Sequence, residues 1–314
     1  MNIIGYKYVF LSVSAVLVLA SLASLAFFGL KLGIDFTGGS FLEIEFLTSR
    51  PSLEELQKAI SALELGNVII QHYGEKGTVL RLKDVDEKTH QEILSRLDFL
   101  ASKNLTSGAA KENSTNIIEK RFDTIGPTIG AELRKKSLIA IAVTLVLIVL
   151  YIAWAFRKVS LPVSSWKYGV AAVIALAHDV TIPTGIFAIL GHFKGVEIDT
   201  LFVTALLTIL GFSVHDTIVV FDRVRENLKK SAGSYVDFSR IVNQSIQETI
   251  ARSINTSLTV ILVLLAVMFF GGETTFYFAL LLILGIFFGT YSSIFIASPL
   301  LVIWQGLPIP KKDK

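Results

Sequence analysis

The stretch LFVTALLTILGFSVHDTIVV, Leu201–Val220, decides how the whole chain is read. Up to Val214 it holds no ionisable residue, and its length matches the ~20 residues that a helix needs to cross a bilayer core. Near its end stand His215 and Asp216, with Ser213 one helical turn before Asp216 on the same side. A charged group at the bilayer centre costs ~2.5–3.5 kcal/mol or more, so it needs a polar partner or water, and its default reading is functional. Beyond Val220 the chain turns basic, with Arg223, Arg225, Lys229 and Lys230.

Outward from this span, apolar runs of similar length occur at Val9–Leu30, Ser137–Phe156, Tyr168–Leu190, Thr256–Phe270 and Thr275–Trp304. Six transmembrane helices are expected. The fifth is short unless it begins nearer Ile254, and the sixth is long enough to tilt or emerge. The composition agrees: of 314 residues, 52% are hydrophobic and only 18% charged, and the mean hydropathy is +0.63. No small-residue cleavage site of the A-x-A kind stands clear of the first run, which reads as a retained span. The chain has no Cys, which excludes disulfides, thiolate metal sites and cysteine catalysis.

Lys and Arg in short loops favour the cytoplasmic side. Arg157, Lys158 and Lys167 follow span two; Arg223, Arg225, Lys229, Lys230, Arg240 and Arg252 follow span four; Lys311, Lys312 and Lys314 form the tail. The opposite loops are nearly bare, with Lys194 alone in Gly191–Thr200 and no Lys or Arg in Gly271–Thr274. Both termini are therefore expected in the cytoplasm. The basic excess, net +3, reads as this topology signal and not as a nucleic-acid surface, because it forms no single stripe.

The expected domains are 1–30, the N-terminus and first helix; 31–136, an external domain; 137–304, helices two to six with a cytoplasmic loop at 221–253; and 305–314, a basic tail. Within 31–136, Leu42, Ile44 and Phe46 alternate with Phe41, Glu43 and Glu45 as in a half-buried strand. Ser52 and Glu55 form a capping box for a helix with Leu53, Leu56, Ile60 and Leu63 as its apolar positions. Strand-like runs follow at Asn67–Tyr73 and Thr78–Leu82, then a helix at Glu87–Leu100 and a last strand at Asn116–Ile125, with polar Ser102–Asn116 as the loop before it. The order βαββαβ is ferredoxin-like. The fold class is thus a polytopic α-helical membrane protein with six transmembrane helices and a small α+β ferredoxin-like external domain between spans one and two. Between spans four and five, Phe238, Ile241, Val242, Ser245, Ile246 and Ile250 follow helical spacing. An interfacial helix fits, and so does a solvated helix packed under the bundle.

The residues with chemistry are few. His178 and Asp179 lie about eleven residues from the inner end of span three, ~17 Å deep at ~1.5 Å per residue. Arg252 precedes span five. Asp216 with Arg252 is the preferred proton-coupling pair, because protonation would remove the carboxylate's attraction for the cation; a static ion pair that holds the bundle together is the alternative. His178, Asp179, His215 and Asp222 form a secondary polar relay, or His178 and His215 are simply hydrogen-bonded side chains. Neighbouring His and Asp on one helix do not easily converge on a metal, no H-E-x-x-H spacing occurs, and Gly38–Gly39 lacks the phosphate-loop pattern. No cofactor is expected, and no enzymatic activity. Gly285 and Gly289 make a G-x-x-x-G that reads first as packing within the chain and second as a dimer contact. Asn104–Thr106 and Asn113–Thr115 match the short glycosylation pattern.

Gly33-Ile34-Asp35-Phe36-Thr37-Gly38-Gly39, the run Gly211–Asn227, Ala177-His178-Asp179, Ala251–Ser257 and Gly289–Ala297 together resemble segments of the SecF branch of the SecD/SecF protein-export family, in the right order over nearly the whole chain. The chain has His215 and Phe212 where many members have Asn and Tyr, so no role carries over to His215, while Asp216 keeps its assignment. The resemblance implies one half of a resistance–nodulation–division machine that works with SecD beside the SecYEG channel, using the proton motive force to move preproteins across the bacterial cytoplasmic membrane. It also allows YidC and YajC as partners, with membrane lipids around the helices and no nucleic acid. Proton coupling carries over onto Asp216 and Arg252. Asp35, Gly38 and Gly39 carry over as the hinge of the external domain, a place where glycine's conformational freedom suits a sharp turn. A small-molecule or lipid exporter half, and a translocon or insertase scaffold without transport, are the competing readings.

Overall fold

The computed structural model describes residues 2–306 except Thr48, Glu64, Asn67 and the segments 104–115, 157–163 and 232–236. The Ser102–Asn116 loop for the most part, both glycosylation matches, Arg157, Lys158 and the basic tail lie outside the described residues. In chain order the elements are a 3-10 turn (Ile4–Tyr6), α1 (Lys7–Phe28), the one-turn α2 (Ile34–Thr37), β1 (Gly39–Phe46), α3 (Leu53–Ile60), a 3-10 turn (Ser61–Leu63), β2 (Ile69–Tyr73), β3 (Gly77–Leu82), α4 (Glu87–Lys103) and β4 (Ile117–Ile125). Then come α5 (Pro127–Ala155), α6 (Ser165–Lys194), α7 (Thr200–Lys230), α8 (Phe238–Phe270), α9 (Glu273–Ser292), a π-helical turn (Ser293–Ala297) and α10 (Ser298–Gly306). The chain divides into two compact units, Met1–Lys31 with Leu138–Lys314, and Leu32–Ser137.

In the smaller unit the period-2 pattern of β1 buries Leu42, Ile44 and Phe46. The sheet order is β2-β3-β1-β4 with every neighbouring pair antiparallel, the topology that a βαββαβ chain gives when each helix crosses back over the sheet. The capping box is formed, with Glu55 N donating to Ser52 Oγ at 3.3 Å and Ser52 N to Glu55 Oε2 at 2.8 Å. Leu56 and Ile60 of α3 and Ile93, Leu97 and Ala101 of α4 close the core against Leu42, Ile44 and Leu80. Leu53, expected on that apolar face, is exposed as the first residue of α3 and is not part of the core cluster.

Among the described residues six helices are long and apolar enough to cross a membrane: Ile4–Phe28, Pro127–Ala155, Ser165–Lys194, Thr200–Lys230, Phe238–Phe270 and Thr275–Gln305. Half or more of the apolar window of the third, fourth and sixth is buried, against small fractions of the second and fifth. α6, α7 and α9 therefore make the interior, and α1, α5 and α8 turn apolar side chains such as Val16, Leu147 and Val263 outward, as lipid-facing surface requires. Close packing rests on small residues: a methyl at Gly285 would strike Ile209, and one at Gly289 would meet the Ser213 Cβ at 3.2 Å. The G-x-x-x-G thus packs α9 on α7 within this chain.

Two expectations are corrected. The amphipathic stretch before span five is not a separate interfacial helix but the first part of the 33-residue α8, because no Gly or Pro interrupts Phe238–Phe270. Its Val242 and Ile246 pack on Ile3, Ile4, Val220 and Val224, so it belongs under the bundle. Lys167, read as a loop charge, is buried in the first turn of α6, where Nζ donates to the Trp304 carbonyl at 3.0 Å and Gln305 Oε1 at 3.1 Å. A cation at the carbonyl end of α10 is favoured by the helix dipole.

Candidate functional site: a hydroxyl-lined carboxyl pair

Two carboxyl groups occupy the interior formed by α6, α7, α8 and α9. Asp179 is 0% exposed and Asp216 8%. Asp179 sits on α6 four residues before Pro183, whose missing N–H leaves the Asp179 carbonyl without its ordinary helical donor. Its Oδ2 accepts from Ser213 Oγ of α7 at 2.5 Å and from Ser292 Oγ of α9 at 2.6 Å, and its Oδ1 lies 2.8 Å from His178 Nδ1. Asp216 on α7 accepts at Oδ1 from Ser253 Oγ of α8 at 2.7 Å and at Oδ2 from Ser293 Oγ at 2.5 Å.

The spacing explains the arrangement. Ser213 and Asp216 are three residues apart and share a flank of α7. Ser292 and Ser293 are adjacent, about 100° apart round the helix axis, and so address different helices, the first α6 and the second α7. The hydroxyls of Ser257 and Thr290 extend the polar seam between α8 and α9. On the other side the His178 ring lies 6.0 Å from the rings of both Phe288 and Tyr291. Its Nε2 is buried with no hydrogen-bond partner among the described residues. The Tyr291 hydroxyl donates to the Phe10 carbonyl at 3.2 Å and accepts from Ser14 Oγ at 3.3 Å.

The carboxyl partners are hydroxyls, which both donate and accept. Such a partner serves a carboxylate by donating and a carboxylic acid by accepting. A guanidinium, which only donates, would hold the group charged.

The expected pairing of Asp216 with Arg252 is not present. Arg252 is exposed, because the buried face of α8 is set by Ser245, Thr249, Ser253 and Ser257, and Arg252 stands about 100° off it. His215 is also exposed, beside the buried Asp216. Asp222 is solvent-facing and lies 3.7 Å from Arg225 Nη1, so neither residue joins the two carboxyls. Asp35 lies in α2. Gly38 and Gly39 take φ of +73° and +123°, and a Cβ on them would meet Pro127 Cα and the Leu82 carbonyl oxygen, each at 2.7 Å. Those two positions accept only glycine. Ser253, Ser292 and Ser293 were given no role from sequence, although they fall in the family-like segments Ala251–Ser257 and Gly289–Ala297; their physical signal was a tandem serine inside an apolar span and Ser253–Ser257 at helical spacing.

Residues 106–306 match the family described as "Protein export membrane protein SecD/SecF, C-terminal", and residues 23–46 match "SecD/SecF GG Motif". A protein translocase subunit SecF of Thermobaculum terrenum is 43% identical over 97% of this chain and 94% of its own length. The chain belongs to the SecF family of protein translocase subunits. Another SecF, of Anaerolinea thermophila, is 39% identical over 98% of the chain and 94% of its own. Among solved structures the chain resembles SecDF of Thermus thermophilus, described as a translocon-associated membrane protein, with a TM-score of 0.78 and 32% identity. That match covers 98% of this chain but 39% of the SecDF chain. Within the SecF framework the GG-motif match contains Gly38 and Gly39, and the C-terminal match contains Asp179, Asp216 and all of their hydroxyl partners.

Proposed function

We propose that this SecF-family chain works with a SecD partner beside the SecYEG channel, and that it uses the proton motive force to promote preprotein movement across the bacterial cytoplasmic membrane. Both termini lie in the cytoplasm, Leu32–Ser137 lies outside, and Asp216 carries the proton. The observation that supports this most is the hydrogen bonding of Asp216. It is buried among membrane helices, and its two oxygens are held by Ser253 and Ser293 instead of a cation. In this hydroxyl-held arrangement no ion pair opposes protonation of Asp216.

Arg252 enters as the alternative partner. It is one residue from Ser253 on α8, so a turn of about 100° of that helix exchanges hydroxyl for guanidinium at Asp216. Ionised Asp216 favours the cation and protonated Asp216 favours the serine. One proton thus selects one orientation of α8. Asp35, Gly38 and Gly39 form the hinge at which Leu32–Ser137 responds, and YidC and YajC are further partners of the complex.

The test is secretion of a reporter preprotein into inverted vesicles that hold the chain and its SecD partner, with and without a proton gradient. Gradient stimulation of the wild type and its loss in Asp216→Asn, at equal protein levels, support the reading. Equal stimulation of both makes Asp216 a structural residue. A wild type that secretes equally well without a gradient makes the chain a scaffold.

A further inference from the structure

Ser292 and Ser293 each stand between two acceptors. The Ser292 hydroxyl is 2.6 Å from Asp179 Oδ2 and 3.1 Å from the Gly289 carbonyl. The Ser293 hydroxyl is 2.5 Å from Asp216 Oδ2 and 2.9 Å from the Thr290 carbonyl. A hydroxyl has one hydrogen and two lone pairs. It donates to an ionised carboxylate, the stronger acceptor; when the carboxyl is protonated, it accepts the acid hydrogen and turns its own toward the carbonyl three residues back. Both serines have the same two positions, on adjacent residues, at the point where α9 passes into the π-helical turn Ser293–Ala297. The Ser298 hydroxyl, at the start of α10, donates back across that turn to the Ser293 carbonyl at 3.1 Å. Such π turns inside α-helices occur often at functional sites.

We infer that Asp179 is a second proton-carrying carboxyl, and that the Ser292–Ser293 pair couples it to Asp216 by switching each hydroxyl between its carboxyl and the backbone of α9. The inference rests on the proton-driven reading above. Loading Asp179 forms one O–H bond at Oδ2, which donates to Ser292 Oγ, while the hydrogen of Ser292 moves from Oδ2 to the Gly289 carbonyl. No other covalent bond changes, the site becomes less negative by one charge, and release runs in reverse. The Gly289 carbonyl already accepts the backbone N–H of Ser293. The Ser292 hydroxyl shares that carbonyl, which has two lone pairs, with the Ser293 N–H, so turning its hydrogen fully onto the carbonyl acts on the backbone bond of Ser293, whose side chain holds Asp216. Hydroxyls that bond back to a helix carbonyl bend the helix, so proton loading also acts on the π turn.

Few ionisable groups face this unit. His178 on α6 and Tyr291 on α9 flank Asp179; Asp216, with His215 beside it, is on α7, and Arg252 is beside Ser253 on α8. α1 carries no ionisable side chain between Tyr8 and Lys31. His178 is a positioning residue, since Nδ1 meets Asp179 Oδ1 and fixes the carboxyl plane.

The experiment is a pH titration of protonated-carboxyl C=O stretching bands, by infrared difference spectroscopy, on the full chain reconstituted with its SecD partner. The variants are Asp179→Asn, Asp216→Asn, Ser292→Ala and Ser292→Thr. The chain holds 26 Asp and Glu, so the informative bands are those that the Asn variants remove from the wild-type titration, and two are expected. Asp179→Asn removes one and displaces the other's midpoint by about one pH unit or more, the size at which two groups titrate as a pair. Ser292→Ala keeps both bands but removes the coupling, and Ser292→Thr, which retains a hydroxyl, restores it. Ser292→Ala removes a single oxygen and decides the matter alone if Asp179→Asn fails to fold: unchanged wild-type midpoints in it overturn the coupling. A band lost in Asp216→Asn and indifferent to Asp179→Asn, with no band lost in Asp179→Asn, overturns this inference and leaves the proton reading standing. No band lost in either Asn variant overturns both.

Discussion

Ser213 lies three residues before Asp216 on the same flank of α7, yet its hydroxyl serves Asp179 on α6. The spacing that placed both on one face was legible in the sequence; the partner was not, because a serine reaches only one hydrogen-bond length and the rotation of the facing helix chooses what it meets. Removing the Ser253 hydroxyl takes a donor from Asp216. Ser253→Ala is expected to destabilise the bundle by about 1.5–3 kcal/mol, the range for hydrogen bonds to charged groups, read as a lower unfolding temperature in detergent at neutral pH. In the smaller unit Leu97 is wholly buried, and Leu97→Ala is expected to cost about 2–5 kcal/mol, seen as lost hydrogen-exchange protection in β1 and β3. The same unit senses acid. Burial, and then the nearby Arg50, hold His72 below its ordinary 6.5, and a hydrogen bond from Lys120 holds Glu45 below its ordinary 4.5. In both cases the unfolded chain binds the proton more readily, so stability is full above the ordinary value and falls as pH drops through and below it. Protection of the sheet, corrected for intrinsic exchange rates, is expected to decline first below about 6.5; His72→Gln removes that step and leaves the one below 4.5.

At the scale of elements, helix existence followed from hydropathy and helix ends did not. α7 and α8 both run beyond their apolar stretches, since nothing in Phe221–Lys230 or Phe238–Ile250 breaks a helix and each finds a partner to pack on. The π turn Ser293–Ala297 ends two residues before Pro299, whose missing N–H disturbs the helical ladder; the sequence thus signals an irregularity there but not its form. Gly285 shows the reverse, a packing site readable from spacing alone. Gly285→Ala drives a methyl into Ile209 and is expected to destabilise by about 1–3 kcal/mol. Gly211→Ala on α7, with open space around it, is expected to stabilise by up to ~1 kcal/mol through helix propensity. Parallel thermal unfolding of the two variants separates packing from propensity.

At the scale of the whole molecule, the absence of Cys lets single introduced cysteines report sidedness. Lys76→Cys in the α+β unit is expected to react with a membrane-impermeant thiol reagent only from outside the cell, and Lys230→Cys at the end of α7 only from the cytoplasmic side; the opposite pattern would invert the proposed orientation. Six apolar helices and a βαββαβ unit were determined by the sequence itself, because hydropathy over ~20 residues and a period of two or 3.6 are local properties that any packing must respect. The Asp216–Arg252 pair shows where that ends. Sequence places both residues near one another, but which of the neighbours Arg252 and Ser253 meets Asp216 depends on the rotation of α8 against α7, and which of Ser292 and Ser293 meets each carboxyl depends on the π turn. Those are set by side-chain packing between helices distant in sequence, and only the tertiary structure decided them.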